Sequence, residues 1–223
     1  MDFGKAFTYV FEDADWVKKL GIAGLLNIIP ILGTILVSGW ALNTTRNVIR
    51  REEQPLADWS DFGDIIIKGL QVFVIGFVYA IPIILINACN TGFNVGLAEN
   101  NDDTVASALI IASICFGCLS FLYGIFMAFV IPAALGNFAA KEQFGAAFRF
   151  GEVFGLLRSA PGPYILVVLG SFLAGFIAML GLIACFIGVF FTVAYAAVIN
   201  GHLQGQAYNA AIEAQGAQAE AAF

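Results

Sequence analysis

Residues 159–201 read SAPGPYILVVLGSFLAGFIAMLGLIACFIGVFFTVAYAAVING, a run with no Asp, Glu, Lys, Arg or His. A helix needs about 20 mostly apolar residues to cross a bilayer, so this run is long enough for two spans. Pro161 and Pro163 mark where the first span begins, and no proline separates the two. The turn between them must therefore rest on Gly181 and its neighbours. The run predicts a transmembrane helical hairpin.

Two further charge-free runs, 69–98 and 104–140, lie upstream, and each is long enough for one span. The whole chain is 60% hydrophobic and 12% charged, whereas roughly a quarter of the residues are charged in an ordinary soluble domain. Such a chain cannot cover its apolar surface in water. The composition predicts a protein that crosses the membrane several times.

The predicted fold class is all-α: a polytopic membrane helical bundle of about six transmembrane helices with short interfacial amphipathic helices. The first span is short, Pro30 to Gly33 breaks the chain after it, and Pro82 is expected to kink the third span rather than end it. The fourth span is longer than a bilayer requires. The six spans are Trp16–Ile29, 31–46, Ile65–Asn87, Val105–Asn137, Tyr164–Leu180 and Leu182–Asn200.

The positive charges predict the orientation. With six spans and both termini inside, all ten Lys and Arg residues lie at or near the cytoplasmic face, whereas the outer loop from Cys89 to Thr104 has none. An excess of Lys and Arg on the cytoplasmic side is the established topology signal. The N-terminus also lacks the basic and apolar pattern of a cleavable signal. We expect a multi-pass protein of a prokaryotic cytoplasmic (inner) membrane, with cytoplasmic N- and C-termini.

An internal repeat is predicted from three Phe-Gly segments, at Phe3, Phe62 and Phe144, each of which precedes a pair of spans. We interpret the chain as three helical hairpins within a single transmembrane domain, residues 1–205. Chance is the alternative, because Phe-Gly pairs are common in so apolar a chain. The repeats cover about 2–60, 61–142 and 143–205, and a flexible or frayed helical tail follows over 206–223.

The second span of each hairpin ends near an asparagine: Asn43, Asn137 and Asn200. If the hairpins surround a pseudo-threefold axis, these residues lie at equivalent depths. They are candidates for a polar ring around a vestibule or, alternatively, for caps at the helix ends.

The cytoplasmic linker and the segment before span 1 are the candidate interaction surface. Basic residues are followed there by several acidic ones, and short amphipathic segments flank the spans. The charges either pair with one another in a solvated linker or bind anionic lipid headgroups. The amphipathic segments either anchor span ends or form a collar that senses lipid or docks a partner. The candidate residues are Asp15, Trp16, Arg46, Arg50, Arg51, Asp61, Phe62 and Asp64.

Segments of this region resemble a family of prokaryotic multi-span membrane proteins catalogued only as a domain of unknown function. The resemblance is carried by residues 1–13, Asp15-Trp16, 18–20, Arg46–Arg50 and the run from Pro55 through Trp59 to Asp64, and beyond residue 70 it is mainly hydropathy. It implies a six-helix membrane fold and no established catalytic residues. More loosely, the layout is similar to the membrane region of some glycerophosphodiester phosphodiesterases, whose catalytic domain has no counterpart here.

No catalytic, cofactor or metal site is predicted. Spans 3 to 6 have no ionisable group in their cores, where one would suggest function. Cys115 and Cys118 share a helical face, but no His or second Cys pair accompanies them, so packing is the better interpretation. Cys89 and Cys185 lie in or next to apolar spans and are interpreted in the same way. His202 is expected to be an interface residue.

Composition excludes nucleic acid as a partner, because the net charge is −6 and basic patches are missing. The expected partners are membrane lipids and other membrane protein subunits. We favour a non-catalytic scaffold or accessory subunit of a larger complex. A passive pore or carrier for a small neutral or lipidic solute is the first alternative. A lipid enzyme acting through Asp15, Asp61 and Asp64 is the weaker one, since no base or metal pattern supports it.

Overall fold

The computed structural model describes residues 1–97, 103–183 and 187–220. Within these ranges the chain is all-α, with short 3₁₀ turns and no β-strand. The predicted fold class is confirmed. The helices are α1 (Lys5–Thr8), α2 (Trp16–Asn27), α3 (Leu32–Ile49), α4 (Phe62–Leu97), α5 (Asp103–Lys141), α6 (Phe150–Ser159), α7 (Pro161–Leu180) and α8 (Ile187–Glu220).

Four of these helices (α4, α5, α7 and α8) are long and apolar enough to cross a membrane. The chain is therefore membrane-embedded, but the predicted count of six spans is not confirmed. Helix α2 has 12 residues, which at 1.5 Å per residue reach about 18 Å, less than the roughly 30 Å of the hydrocarbon core. Polar residues in the second half of α3 lower its mean hydropathy.

Proline and glycine act where the sequence predicts. Pro82 lies inside the continuous helix α4, and Pro161 is the first residue of α7, where its missing N–H costs nothing. Gly181 begins the 3₁₀ turn after α7. A Cβ at that position would lie 2.2 Å from the Thr192 hydroxyl oxygen, so the turn requires glycine. Cys185 and part of the predicted outer loop lie outside the described residues.

The chain divides into two compact units. We call residues 1–75 with 129–223 the body, and residues 76–128 the middle unit. This division follows none of the predicted repeat boundaries, so the three repeats stay a prediction.

The core of the body is built around aromatic side chains. Trp40, Tyr9 and Val198 are buried together with Trp59 and Leu36. Tyr9 donates a hydrogen bond to the carbonyl of Val198, 2.9 Å away. The N-terminal segment therefore packs on the middle of α8, because a buried Tyr hydroxyl needs such a partner.

Glycines set the helix spacing in the body. A Cβ on Gly39 would lie 2.0 Å from the carbonyl oxygen of Ile65, and one on Gly69 would lie 2.0 Å from that of Ile35. The same close approach brings Gly201 of α8 against α3. Membrane helices use small residues in this way to bring their backbones together. Helix α3 thus touches both α4 and α8 backbone to backbone.

The middle unit has a different interior. A Cβ added to any of its five glycines would meet no heavy atom of the described residues within 4 Å. Its helices are joined by neutral hydrogen bonds instead: Asn94 lies 3.1 Å from the Ser113 hydroxyl, and Tyr123 donates to the carbonyl of Tyr79. The sequence predicts that the outer loop begins at Cys89. That prediction is wrong for the first residues of the loop, because α4 continues to Leu97.

The predicted tail, residues 206–223, is helical as far as the structure describes it, and its flexibility stays a prediction. Helix α8 continues without a break to Glu220, and Ala207, Tyr208 and Ala211 are buried. The side chain of Gln206 exchanges hydrogen bonds with the backbone of Asp2. Further along, Asn209 donates to the carbonyl of Val48 on α3, and Ser159 of α6 donates to the carbonyl of Ala211. Contacts with several segments therefore accompany the helix well past the apolar span.

Candidate functional site

A buried lysine is the centre of the first charged cluster. The ammonium group of Lys19 lies 2.7 Å from Asp13 and 2.8 Å from Asp58. Lys19 and Asp13 are only 8% and 5% exposed. Burial by itself would lower the pKa of Lys19, but hydrogen bonds to the two carboxylates outweigh it and raise the pKa above its ordinary value. The lysine therefore stays charged.

Two tryptophans hold the linker between α3 and α4, residues 50–61, against this cluster. The indole N–H of Trp40 donates to the carbonyl of Ala57, and that of Trp59 donates to the carbonyl of Lys19. Their rings are stacked with centroids 5.1 Å apart. Lys19 also donates to the carbonyl of Leu56. The linker is therefore clamped onto α2 and α3 rather than solvated throughout.

The second cluster joins α3 to the start of α4. Asn43 donates to the carboxylate of Asp64 at 3.1 Å and accepts from Lys68 at 3.0 Å. Lys68 also forms an ion pair with Asp64 at 2.8 Å. Asn43 and Lys68 are buried, and each charge is compensated, as burial requires.

Arginines near the end of α3 meet acids from other helices. Arg50 donates to Glu142 at 2.6 Å, and Arg46 lies 3.4 Å from the same carboxylate. Arg51 pairs with Glu213 on α8. The Nε of Arg46 is buried and has no hydrogen-bond partner among the described residues.

The third cluster lies at the end of α5. Asn137, which is 2% exposed, donates to the carbonyl of Ala146 and to Glu152. Lys141 pairs with Glu152 at 2.6 Å. Hydrogen bonds from Lys141 and, to a smaller extent, from Asn137 lower the pKa of Glu152 to about 2. The same residue types thus recur in the second and third clusters.

The three predicted asparagines do not behave alike. Asn43 and Asn137 lie inside α3 and α5, and their side chains bond to groups of other segments, so they do not cap helix ends. Asn200 lies inside α8 and accepts from the hydroxyl of Ser171, 2.7 Å away. The structure brings Asn43 and Asn137 each to a carboxylate, and Asn200 to a hydroxyl.

The other predicted surface residues have modest roles. The side chain of Asp61 accepts from the N–H of Asp64 at 3.0 Å, which caps the start of α4. Trp16 packs edge-on against Phe11, and Asp15 is exposed. Phe62 is 42% exposed.

Several of the predicted residues line two cavities. Arg46 and Asp64 line a cavity of about 220 Å³. Asp15 and Phe62 line another, of about 350 Å³, together with Lys19. Both lie within the body.

Sequence reasoning missed several charged residues that build these clusters. They are Asp13, Lys19, Lys68, Lys141, Glu142, Glu152 and Glu213. One signal was available, since Asp64 and Lys68 stand four apart on one helix, a spacing that favours an ion pair. No local spacing connects Lys19 to Asp58 or Arg50 to Glu142, because those pairs form only when the helices pack.

His202 is buried inside the body. It is 4% exposed, stacks on the ring of Tyr9 with centroids 4.2 Å apart, and lies 2.9 Å from the amide of Gln206. Its position at the membrane interface stays a prediction. Among the described residues, no group of three or more His, Cys, Asp or Glu side chains is placed to hold a metal ion.

Comparison with known proteins identifies the family of the chain. A family model described as Protein of unknown function (DUF4013) matches residues 22–199. The chain belongs to this family. The match agrees with the resemblance drawn from the first 70 residues, and nothing supports the looser likeness to the phosphodiesterase membrane region. No curated protein and no solved structure matches the chain.

Proposed function

We propose that this DUF4013 protein is a non-catalytic accessory or scaffold subunit of a larger complex in a prokaryotic cytoplasmic membrane. Its charged clusters would face the cytoplasm, together with both termini. Its middle unit would be the surface on which helices of a partner subunit pack. One observation carries the proposal: the glycines of the middle unit face open space, whereas many of those of the body do not.

The argument rests on what glycine contributes to a membrane helix. Glycine is enriched where two helices approach closely, because the missing side chain lets their backbones meet. In the body, Gly39, Gly69 and Gly201 have such neighbours. Gly117 and Gly124 of α5 have none among the residues that the structure describes, and none of the most apolar window of that helix is buried. A partner helix would supply the missing contact.

The charged clusters support a structural role. Lys19, Lys68 and Lys141 each form a close ion pair with an acid of the body. A general acid or base must instead reach a substrate proton. Charged groups that are paired in this way therefore support a role in holding helices together rather than a role in acid–base chemistry.

The passive pore gains no comparable support. That hypothesis places the asparagines along a solute path, but Asn43 and Asn137 are buried and already bonded to charged residues. Their amides stabilise contacts between segments.

The test is extraction of the tagged protein from its own host in a gentle detergent, followed by quantitative mass spectrometry of co-purifying membrane proteins. The double variant Gly117→Leu/Gly124→Leu blocks the open face of α5. Gly175→Leu is the matched control, because Gly175 is also a membrane-helix glycine with nothing within 4 Å but lies in the body.

We expect a stoichiometric partner that is lost from the double variant and kept by the control. A monomer or a homo-oligomer without any partner would contradict the accessory role. Equal loss from both variants would show that the middle unit is not the docking surface.

A further inference from the structure

The 220 Å³ cavity of the body is lined by charged side chains of both signs. It lies between α3, the start of α4 and the end of α5. Its polar lining contains two cations, two carboxylates and two amides. These residues are Arg46, Lys68, Asp64, Glu142, Asn43 and Gln71.

The cations of the cavity have hydrogen-bond donors to spare. The Nε of Arg46 is buried without a partner among the described residues, and the closest approach of this guanidinium to an acid is 3.4 Å, to Glu142. Lys68 uses its ammonium group toward Asn43 and Asp64, and an ammonium has three donors. Cations whose donors are only partly used by neighbouring groups favour a ligand with acceptor oxygens.

The acids of the cavity restrict that ligand further. Asp64 accepts from Asn43 and Lys68, and Glu142 accepts from Arg50, while a carboxylate can accept about four hydrogen bonds. A simple anion would be repelled by both carboxylates. A ligand that carries a positive amine beside its acceptor oxygens would satisfy both signs of charge.

We propose that this cavity binds a phosphate that bears a primary ammonium group, the chemistry of an ethanolamine phosphate. The planar guanidinium of Arg46 suits a phosphate, with Lys68 as the second cation. The ammonium bonds to Glu142 and Asp64. Two sources share this chemistry: the headgroup of an aminophospholipid, and free phosphoethanolamine.

The surroundings of the cavity favour the lipid source. Its lining continues into apolar residues, among them Leu42 and Ile67. Ile67 is 61% exposed on a helix long enough to cross the membrane. Acyl chains attached to a bound headgroup would lie along this exposed apolar surface.

The experiment is native mass spectrometry of the delipidated full-length protein with added phosphatidylethanolamine, phosphatidylcholine or phosphatidylglycerol of identical acyl chains. Phosphatidylcholine keeps the positive charge but has no N–H donor, and phosphatidylglycerol has no amine. We expect one phosphatidylethanolamine to be retained about tenfold more strongly than either of the others, an order typical of losing a charge-assisted hydrogen bond. Equal retention of the three lipids would overturn the proposal.

Variants locate the site. Arg46→Gln should lower retention of phosphatidylethanolamine about tenfold, and Arg46→Lys should restore only part of it, since lysine has no fork of donors. Arg158→Gln is the control, because Arg158 is an exposed arginine outside the cavity lining. A decrease as large in the control as in Arg46→Gln would overturn the assignment. If Arg46→Gln does not fold, the lipid selectivity of the wild-type protein is the measurement that decides whether the proposal holds.

Soluble phosphoethanolamine distinguishes the two sources. Displacement of the lipid by millimolar phosphoethanolamine, with the lipid bound far more tightly, supports the headgroup source. Comparable affinity for both supports the free solute. Failure of phosphoethanolamine to compete at any concentration overturns the proposal, because the lipid would then be held by its acyl chains.

Discussion

The body and the middle unit both contain helices that are apolar enough to cross a membrane, yet they hold together in different ways. In the body, Gly39 and Gly69 bring α3 and α4 into backbone contact, and buried ion pairs such as Lys19–Asp13 join neighbouring segments. In the middle unit, the glycines are open and the described polar contacts are neutral, as between Asn94 and Ser113. Hydropathy therefore indicates which helices enter a membrane, but not which of them pack within one chain.

The largest expected effect is at the buried charge of the body. Lys19→Met leaves Asp13, which is 5% exposed, without its cation. Breaking a buried ion pair in this way destabilises a protein by about 3–5 kcal/mol. Thermal unfolding of the purified protein, followed by tryptophan fluorescence, measures the loss, since Trp40 and Trp59 lie beside the cluster.

The double variant Lys19→Met/Asp13→Asn should recover part of this stability, because the second change removes the unpaired charge. A double variant no more stable than Lys19→Met would show that the pair is not what stabilises α2.

The second effect tests the glycine contacts. Gly39→Ala places a methyl group against the carbonyl of Ile65, where the Cβ would lie only 2.0 Å away. Helices α3 and α4 must then separate, and we expect a loss of about 3 kcal/mol. Gly124→Ala is the matched change in the middle unit, and there we expect no loss. Equal melting temperatures for the two variants would remove the distinction between the two units.

Acidification should affect the body through Glu152. Its pKa in the folded protein is about 2, below the ordinary 4.5, so its contribution is complete above pH 4.5 and disappears as the pH falls toward 2. Wild type should therefore melt higher than Glu152→Gln at neutral pH, by a few degrees at most because the carboxylate is partly exposed. The difference should close between pH 4.5 and 2. A difference that is constant over that range would mean that the carboxylate charge contributes nothing.

The smallest effect is expected in the middle unit. Ser113→Ala removes the hydroxyl that contacts Asn90 and Asn94. Hydrogen bonds between membrane helices contribute about 0.6 kcal/mol on average, so unfolding measured as above should barely change. A loss as large as that of Gly39→Ala would mean that polar contacts hold the middle unit as firmly as close packing holds the body.

Much of the fold follows from local sequence. Long charge-free runs predict α4, α5, α7 and α8, and Pro161 and Gly181 mark the two ends of α7, because these signals act within a few residues. The length of α8 was not predictable in this way. Beyond the apolar span the helix contacts the N-terminal segment through Gln206, the end of α3 through Asn209, and α6 through Ala211, and those contacts depend on the folded chain.

The candidate site was predicted only in part. The sequence pointed to Asn43, Arg46, Asp64 and Asn137, which do lie in polar clusters. It did not point to their partners, since Glu142 meets Arg50 across 92 positions of the chain. Such pairs depend on how helices pack, and hydropathy and spacing contain little information on packing.

The reciprocal contact of Gly39 and Gly69 has a consequence for how the family can diverge. Each glycine faces the carbonyl of a residue on the opposite helix, Ile65 and Ile35 respectively. A clash with a backbone atom cannot be relieved by trimming a neighbouring side chain, so a compensating second substitution is not available. We therefore expect homologues to differ at almost every lipid-facing side chain of α3 and α4 but to keep glycine at these two positions. The crossing of the two helices should then persist over longer evolutionary times than the surfaces around it.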